Sequence, residues 1–325
     1  MKKFLTFWTV FFLFFTLPIS GEDFITPFLR SPLDAVSRSI GGSNSAFPVG
    51  SVDLFINPAL LTRHPKTELQ FSNILNLFST QYASLSLSIP IGQNQWLGIG
   101  LMGRLNALSN NNQFSVIHPR ESDHYQYAGY LGIAHNFGRF SLGLNMKYLQ
   151  VGYDGGDYYA TGKAVGLDVG MYYFLSPALQ IGLSYESPMK IVWSNSLREL
   201  TSAKQSLGML WSPNLQLNNP IQLLFGVEKY TREPARLNLG LVVKPLANNI
   251  GWSDFSLRGG FGNVNSQSIQ SASIADIVMD AIPSVTLGTG IGFHVGEKWY
   301  VNLDYCIQVF EYVTNLHIVT TRIRF

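Results

Sequence analysis

The chain reads as an all-β protein: an antiparallel transmembrane β-barrel of about fourteen strands with a small N-terminal plug. Three observations predict this. Hydrophobicity alternates with a period of two along most of the chain, the connections sort by length into two sets, and the composition is poor in charge and rich in aromatics.

The alternation is clearest near the C-terminus, over 283–325. Val285, Leu287, Thr289, Ile291, Phe293 and Val295 alternate with Thr286, Gly288, Gly290, Gly292 and His294. After the turn Gly296-Glu297-Lys298, Trp299, Val301, Leu303, Tyr305, Ile307 and Val309 alternate with Tyr300, Asn302, Asp304, Cys306 and Gln308. Successive strand side chains point to opposite faces, so each run has an apolar and a polar face. In a soluble sandwich the polar face meets water. In a membrane barrel the apolar face meets lipid and the polar face meets a lumen. Charged residues are 13% of the chain, against a usual ~25%. Aromatics are also 13%, which suits an outer surface in lipid.

The chain begins Met1-Lys2-Lys3, then an apolar run from Phe4 to Leu17, then Pro18-Ile19-Ser20-Gly21. A basic start, a short apolar core and small residues predict a secretory signal peptide over 1–21. The run is shorter than the ~20 residues of a transmembrane helix. Removing Lys2 and Lys3 leaves 20 basic and 20 acidic residues. The mature chain is formally neutral, so no nucleic-acid partner is expected. Cys306 is the single cysteine and brings no disulfide framework.

Residues 22–64 lack alternation and are expected to form a plug or hatch. Leu33 to Ile40 fits a helical turn or two, and Pro58 opens a short helix after Asn57 as cap. The barrel is expected over 65–325. Its candidate strands lie near 68–75, 80–91, 95–106, 124–136, 138–151, 163–175, 178–191, 202–212, 220–229, 235–245, 253–263, 284–295, 298–309 and 312–325. Connections after even-numbered strands are mostly short, as in Gly92-Gln93-Asn94, Phe137-Gly138, Ser176-Pro177 and Gly296-Glu297-Lys298. Those near 107–123, 152–162, 192–201 and 264–283 are long. Outer-membrane barrels sort their loops this way, short turns in the periplasm and long loops outside. The outer membrane of a diderm bacterium is therefore the expected location, with lipid around the wall. In the last strand Phe325, Ile323, Thr321 and Val319 form one face and Arg324, Arg322 and Thr320 the other. Ile318 and Leu316 put apolar groups on the lumen side.

Several stretches resemble a known family. Asn57-Pro58-Ala59-Leu60-Leu61, just before the first strand, resembles the NPA motif of the FadL/OmpP1 superfamily of outer-membrane barrels. Gly143-Leu144-Asn145-Met146-Lys147-Tyr148, Gly166-Leu167-Asp168-Val169-Gly170 and Leu257-Arg258-Gly259-Gly260-Phe261 resemble strands of its PorV/PorQ-like branch, which includes the UPF0164 group. The terminal Phe325 resembles the signal read by the barrel-assembly machinery. The resemblance implies a fourteen-stranded barrel with an N-terminal hatch. It implies one of two functions: a channel for hydrophobic small molecules such as long-chain fatty acids, or a barrel that binds or hands over secreted proteins.

Other motifs are set aside on physical grounds. Gly98-Ile99-Gly100-Leu101-Met102-Gly103 matches a dinucleotide fingerprint, but those glycines lie in a strand and open no helix. The six histidines form no ligand pair, and no G-x-S-x-G occurs, so no metal, cofactor or enzymatic activity is expected. Gly288, Gly290 and Gly292 leave a bare stripe in the lumen, with room for a plug or a ligand. Lys147, Asp168, Asp304, Arg322 and Arg324 are expected to face inward and pair, because an unpaired buried charge is costly. The apolar residues of loop 264–283 allow a short amphipathic helix over 272–281.

Overall fold

The structure, a computed structural model, describes residue 29 and residues 34–77, 80–106, 123–154, 159–213, 221–231, 235–244, 254–264, 284–309 and 315–325. The expected signal peptide and the expected helix over 272–281 lie outside the described residues.

The strands are β1 (Glu68–Leu77), β2 (Thr80–Pro90), β3 (Gln95–Asn106), β4 (Asp123–Asn136), β5 (Phe140–Asp154), β6 (Tyr159–Ser176), β7 (Leu179–Glu186), β8 (Lys190–Trp193), β9 (Arg198–Leu200), β10 (Lys204–Trp211), β11 (Ile221–Tyr230), β12 (Arg236–Val243), β13 (Asp254–Val264), β14 (Ser284–Val295), β15 (Trp299–Val309) and β16 (Leu316–Arg324). All pairings are antiparallel, and β16 pairs with β1, Glu68 opposite Arg324 and Ser72 opposite Thr320, so the sheet closes on itself. β8 pairs with β6 at Gly162 and Lys163, beyond the stretch where β7 pairs with β6. β9 pairs with β8 as β10 pairs with β7. β7–β8 and β9–β10 are therefore two broken crossings, and the wall is a fourteen-stranded barrel.

The break has a cause in the sequence. Pro188 follows β7 and has no N–H to give to a ladder. Hydroxyls patch the gap: Ser187 Oγ accepts from Leu167 N at 2.8 Å, and Thr201 Oγ1 accepts from Met189 N at 2.8 Å. The connection expected over 192–201 thus holds the end of β8, a turn with Ser196 at φ 67°, and β9. Two strands also run past their expected ends, β5 to Asp154 and β6 from Tyr159. Gly152 and Gly162 bound the connection expected over 152–162. In the wall they sit where a Cβ would meet the Tyr125 ring and the Ile191 and Trp193 side chains. Short turns sit at one end of the barrel, where Gly138 and Gly296 take φ of 89° and 65°. That end is called the turn end below, and the opposite end the loop end.

The outer face is apolar around the circumference: Leu85, Leu101, Leu131, Leu144, Val165, Leu167, Leu239, Leu257, Leu287 and Leu303 are all exposed. The inner face carries buried Ser84, Ser86, Asn145, Ser206, Asn238 and Thr320. A water-soluble monomer rarely exposes apolar patches above a few hundred Å². A continuous apolar belt around a closed wall requires lipid.

Residues 34–64 lie inside this wall. Helix α1 (Ala35–Ser39) starts at Asp34, whose carboxylate accepts from Ser37 N at 2.8 Å. A 3-10 turn spans Ser51–Phe55 and a second spans Pro58–Arg63. The second is capped by Asn57, whose Oδ1 accepts from Ala59 N at 3.2 Å, and Pro58 sits where a missing N–H costs nothing.

Candidate functional site: the barrel lumen

The inner segment winds around the lumen, and the wall is glycine where it passes. Ser39 lies against Gly288 of β14, Gly41 against Gly260 of β13, and Ser43 against Gly240 of β12. Ser45 and Ala46 lie against Gly208 of β10 and Gly182 of β7. Asn57 and Pro58 lie against Gly170 of β6, and Pro58 and Ala59 against Gly143 of β5. Leu54 meets Gly132 of β4, and Phe55 meets Gly100 of β3. At each of these glycines a Cβ would collide with the segment. Gly98 and Gly100, the fingerprint look-alike, thus receive Leu54, Leu61 and Phe55.

Hydrogen bonds rivet the segment on every side. Ala35 N donates to Thr320 Oγ1 at 2.8 Å, and Thr286 Oγ1 donates to Ser39 O at 3.1 Å. Ser51 N donates to Glu68 at 2.7 Å, and Arg322 donates to Val49 O at 2.5 Å. Asn57 Nδ2 donates to Ser45 O at 2.7 Å within the segment and to Met171 O of the wall at 3.1 Å. Asn145 Nδ2 donates to Leu54 O at 3.0 Å, and Trp96 Nε1 donates to His64 O at 2.7 Å. The segment is pinned to itself by Asp53, which is 2.7 Å from His64 Nε2 and accepts from Val49 N at 3.1 Å. Burial pushes the Asp53 carboxyl above its ordinary range, against the opposing pull of His64.

The inward charges form two separate clusters. In one, Lys147 Nζ is 2.7 Å from Asp168 and 3.9 Å from Glu186. Lys204 then bridges Glu186 at 3.2 Å and Glu228 at 3.0 Å. Two lysines and three carboxylates thus form one chain of ion pairs across β5, β6, β7, β10 and β11, with Asp168 and Glu186 sharing Lys147. In the other, Asp304 lies 2.7 Å from Arg258 and 2.8 Å from Arg322, while Arg324 pairs with Glu68 at 2.5 Å. Arg258 on β13 reaches Asp304 on β15 across β14, and it does so over Gly290, where a Cβ would meet both side chains. Glu68, Glu186, Lys204, Glu228 and Arg258 were not singled out in the sequence. Each stands at an inward position of its strand's alternation, which is the signal that identifies it. Phe325 lies at the turn end on the outer face, its N–H donating to Thr67 O at 3.1 Å and its ring 5.2 Å from that of Trp299.

Toward the loop end the inner face turns apolar. Ile74, Leu149, Leu316 and Ile318 are inward and fully buried. Tyr82, Met102, Val151, Met189 and Ile191 join them in one cluster, which Leu29 packs against. Tyr130 meets Phe55 of the inner segment edge to face, with ring centroids 4.9 Å apart.

These features define a closed fourteen-stranded antiparallel barrel whose lumen holds its own N-terminal segment. No protein-family model matches the chain, and no curated protein does. Among solved structures it is similar to a Pseudomonas aeruginosa FadL homologue, with a TM-score of 0.62 and 10% identity, covering 94% of this chain and 99% of that one. It is also similar to the Pseudomonas putida toluene transporter TodX, with a TM-score of 0.56 and 12% identity over 90% and 96% of the two chains. The Ralstonia pickettii toluene transporter TbuX gives 0.55 and 11% over 90% and 97%. At such identities the likeness is one of fold.

Proposed function

We propose that the protein is an outer-membrane channel for the uptake of hydrophobic small molecules, with long-chain fatty acids among the candidates. The observation that carries this is the apolar lumen on the loop-end side of the inner segment, built by Ile74, Leu149, Met189, Ile191 and Ile318. A general porin keeps a polar, water-filled interior. In this reading the turn end faces the periplasm of a diderm bacterium and the loop end faces outside. The signal peptide directs export, and Phe325 is read by the barrel-assembly machinery. Residues 22–64 act as the plug, seated by Asn57, Pro58 and Ala59, and ligand enters from the loop end. Neighbours of the same fold include two described as toluene transporters, which supports this choice of substrate class.

A second reading, a PorV-like barrel that binds or hands over secreted proteins, is supported by the short motifs around Lys147, Asp168 and Arg258. One experiment separates them. Cells carrying the full chain should accumulate labelled oleate or toluene faster than cells without it, and I318E should abolish the gain while barrel levels hold. No gain from a correctly assembled barrel overturns the channel reading and leaves the second.

A further inference from the structure

On the outer face of the wall, at the turn end, β3 to β6 form an apolar groove of about 350 Å³. That volume falls within the ~300–1,000 Å³ of ligand pockets. Ile91, Ile133, Phe137, Leu142, Leu144 and Val169 line the groove, and His135 and Gln95 give it a polar edge. Ile133 stands opposite Leu144 in register, and His135 stands opposite Leu142 one row nearer the turns. Ala134 and Gly143 lie between these rows and face inward, Gly143 against Pro58 and Ala59, so backbone floors the groove there. The floor is unbroken: β3, β4, β5 and β6 pair residue by residue without a register shift. The groove is therefore a feature of the lipid-facing surface and not a passage through the wall.

Rings and cations stand at its mouth. The His135 ring lies 4.3 Å from that of Phe137, which stacks with Phe140 at 6.2 Å. Aromatic rings in barrels gather where acyl chains meet headgroups. Arg139, between these two phenylalanines in sequence, is exposed. Among the described residues its side chain has no ion pair, and His135 makes no side-chain hydrogen bond. The adjoining stretches 88–96, 134–142 and 171–180 contain no Asp or Glu. Carboxylates toward the turn end are engaged or distant. Asp34 caps α1 and Asp53 pairs with His64, both inside the lumen, while Glu68 pairs with Arg324. Asp254 begins β13, across the barrel from β4, and Glu297 lies in the β14–β15 turn. An apolar groove in the lipid belt, opening beside a cation without a carboxylate, matches a ligand with an acyl chain and an anionic head.

We propose that this groove holds an anionic phospholipid, one acyl chain along Ile133, Leu144 and Val169 and its phosphate on Arg139 and His135. Both side chains offer N–H groups to a phosphate oxygen. From the channel reading the site takes only the orientation that puts the turn end in the periplasmic leaflet. It lies outside the lumen and needs no transport.

The test is native mass spectrometry of the full chain in detergent, with equal amounts of dioleoyl phosphatidylglycerol and dioleoyl phosphatidylcholine. The chains are identical, so only the head differs. One arginine beside an anionic head favours binding about fivefold, and the first lipid retained should prefer phosphatidylglycerol by that factor. R139Q should bring the two lipids level, while K298Q, in a turn outside the groove, should keep the preference. I133W fills the groove from an exposed position and should lower retention of both lipids. Equal retention by the parent chain overturns the proposal, as does a preference that survives R139Q or an I133W protein that retains lipid like the parent. Loss of the preference in K298Q as well would show diffuse charge and overturn the site. Displacement of the lipid by equimolar glycerol phosphate would make this a site for free phosphate and overturn it too. If R139Q fails to assemble, I133W and salt decide, because a preference that high salt leaves intact is not electrostatic. Hydrocarbon uptake by a chain without lipid preference sinks this inference alone. Lipid retention by a chain that takes up nothing sinks the channel reading alone.

Discussion

Gly240 offers a sharp test of how the wall and the inner segment fit. A Cβ there would stand 2.6 Å from Ser43 Oγ, 2.8 Å from Ile40 O and 2.9 Å from Ile40 Cβ. All three belong to the inner segment, and a backbone carbonyl is among them, so a rotamer change cannot relieve the clash. Overpacking of this kind costs about 1–3 kcal/mol. Gly259 is the matched control. It lies on the neighbouring strand, and its added Cβ would meet Leu287 Cδ2 and Thr286 O at 3.8 Å, ordinary contact. There Gly→Ala should be neutral, or stabilising by up to about 1 kcal/mol through the unfolded chain. G240A should therefore raise the undocked population of the segment by roughly 5- to 150-fold. Limited proteolysis of the segment reads that population, and urea unfolding in lipid vesicles reads global stability. The same substitution in a chain lacking residues 24–50 should cost nothing, because Ile40 and Ser43 are gone. Equal effects at 240 and 259, or a cost that persists in the truncated chain, would refute the fit.

Three further outcomes are expected. D304N leaves Arg258 and Arg322 buried without their shared counter-charge and should destabilise the barrel by about 3–5 kcal/mol, read by urea unfolding. Removal of residues 24–50 should leave an assembled barrel that conducts in planar bilayers, while the intact chain stays closed; equal conductance would deny the segment its plugging role. Deleting Phe325 should lower the outer-membrane level of the protein without reducing its export across the inner membrane, followed by fractionation and heat-modifiable mobility.

Much of the wall was legible because a strand in a barrel wall meets only two environments. Lipid on one side and lumen on the other impose a period of two, and both Leu287 and Asp304 obey it. The chain closure was legible for the same reason, as the Arg324 and Glu68 faces match once the first and last strands pair. The broken crossing at Pro188 was less legible. Its outer pieces are four and three residues long, too short for a period to show. Gly152 and Gly162 misled in the opposite direction. They fall in the stretch expected as a connection over 152–162, and in the wall they are gaps filled by rings and branched side chains from adjacent strands.

The charge clusters were legible as inward residues but not as partners, and the reason is geometric. Pairing across a barrel depends on register, which the sequence of a single strand does not contain. Arg258 and Asp304 are 46 positions apart and are not on adjacent strands. They meet because β14 between them presents Gly290, opposite Asp304 in register and two residues from Gly288, which faces Arg258. The bare stripe of β14 therefore serves two ends. At Gly288 it admits Ser39 of the inner segment, and at Gly290 it lets an arginine cross over the strand to a carboxylate. Any side chain at Gly290 would stand between two charges that are each nearly buried, and the bridge would be lost. A glycine stripe in a barrel wall thus specifies contacts between its neighbours as firmly as a large residue specifies its own, and only the closed structure shows which neighbours those are.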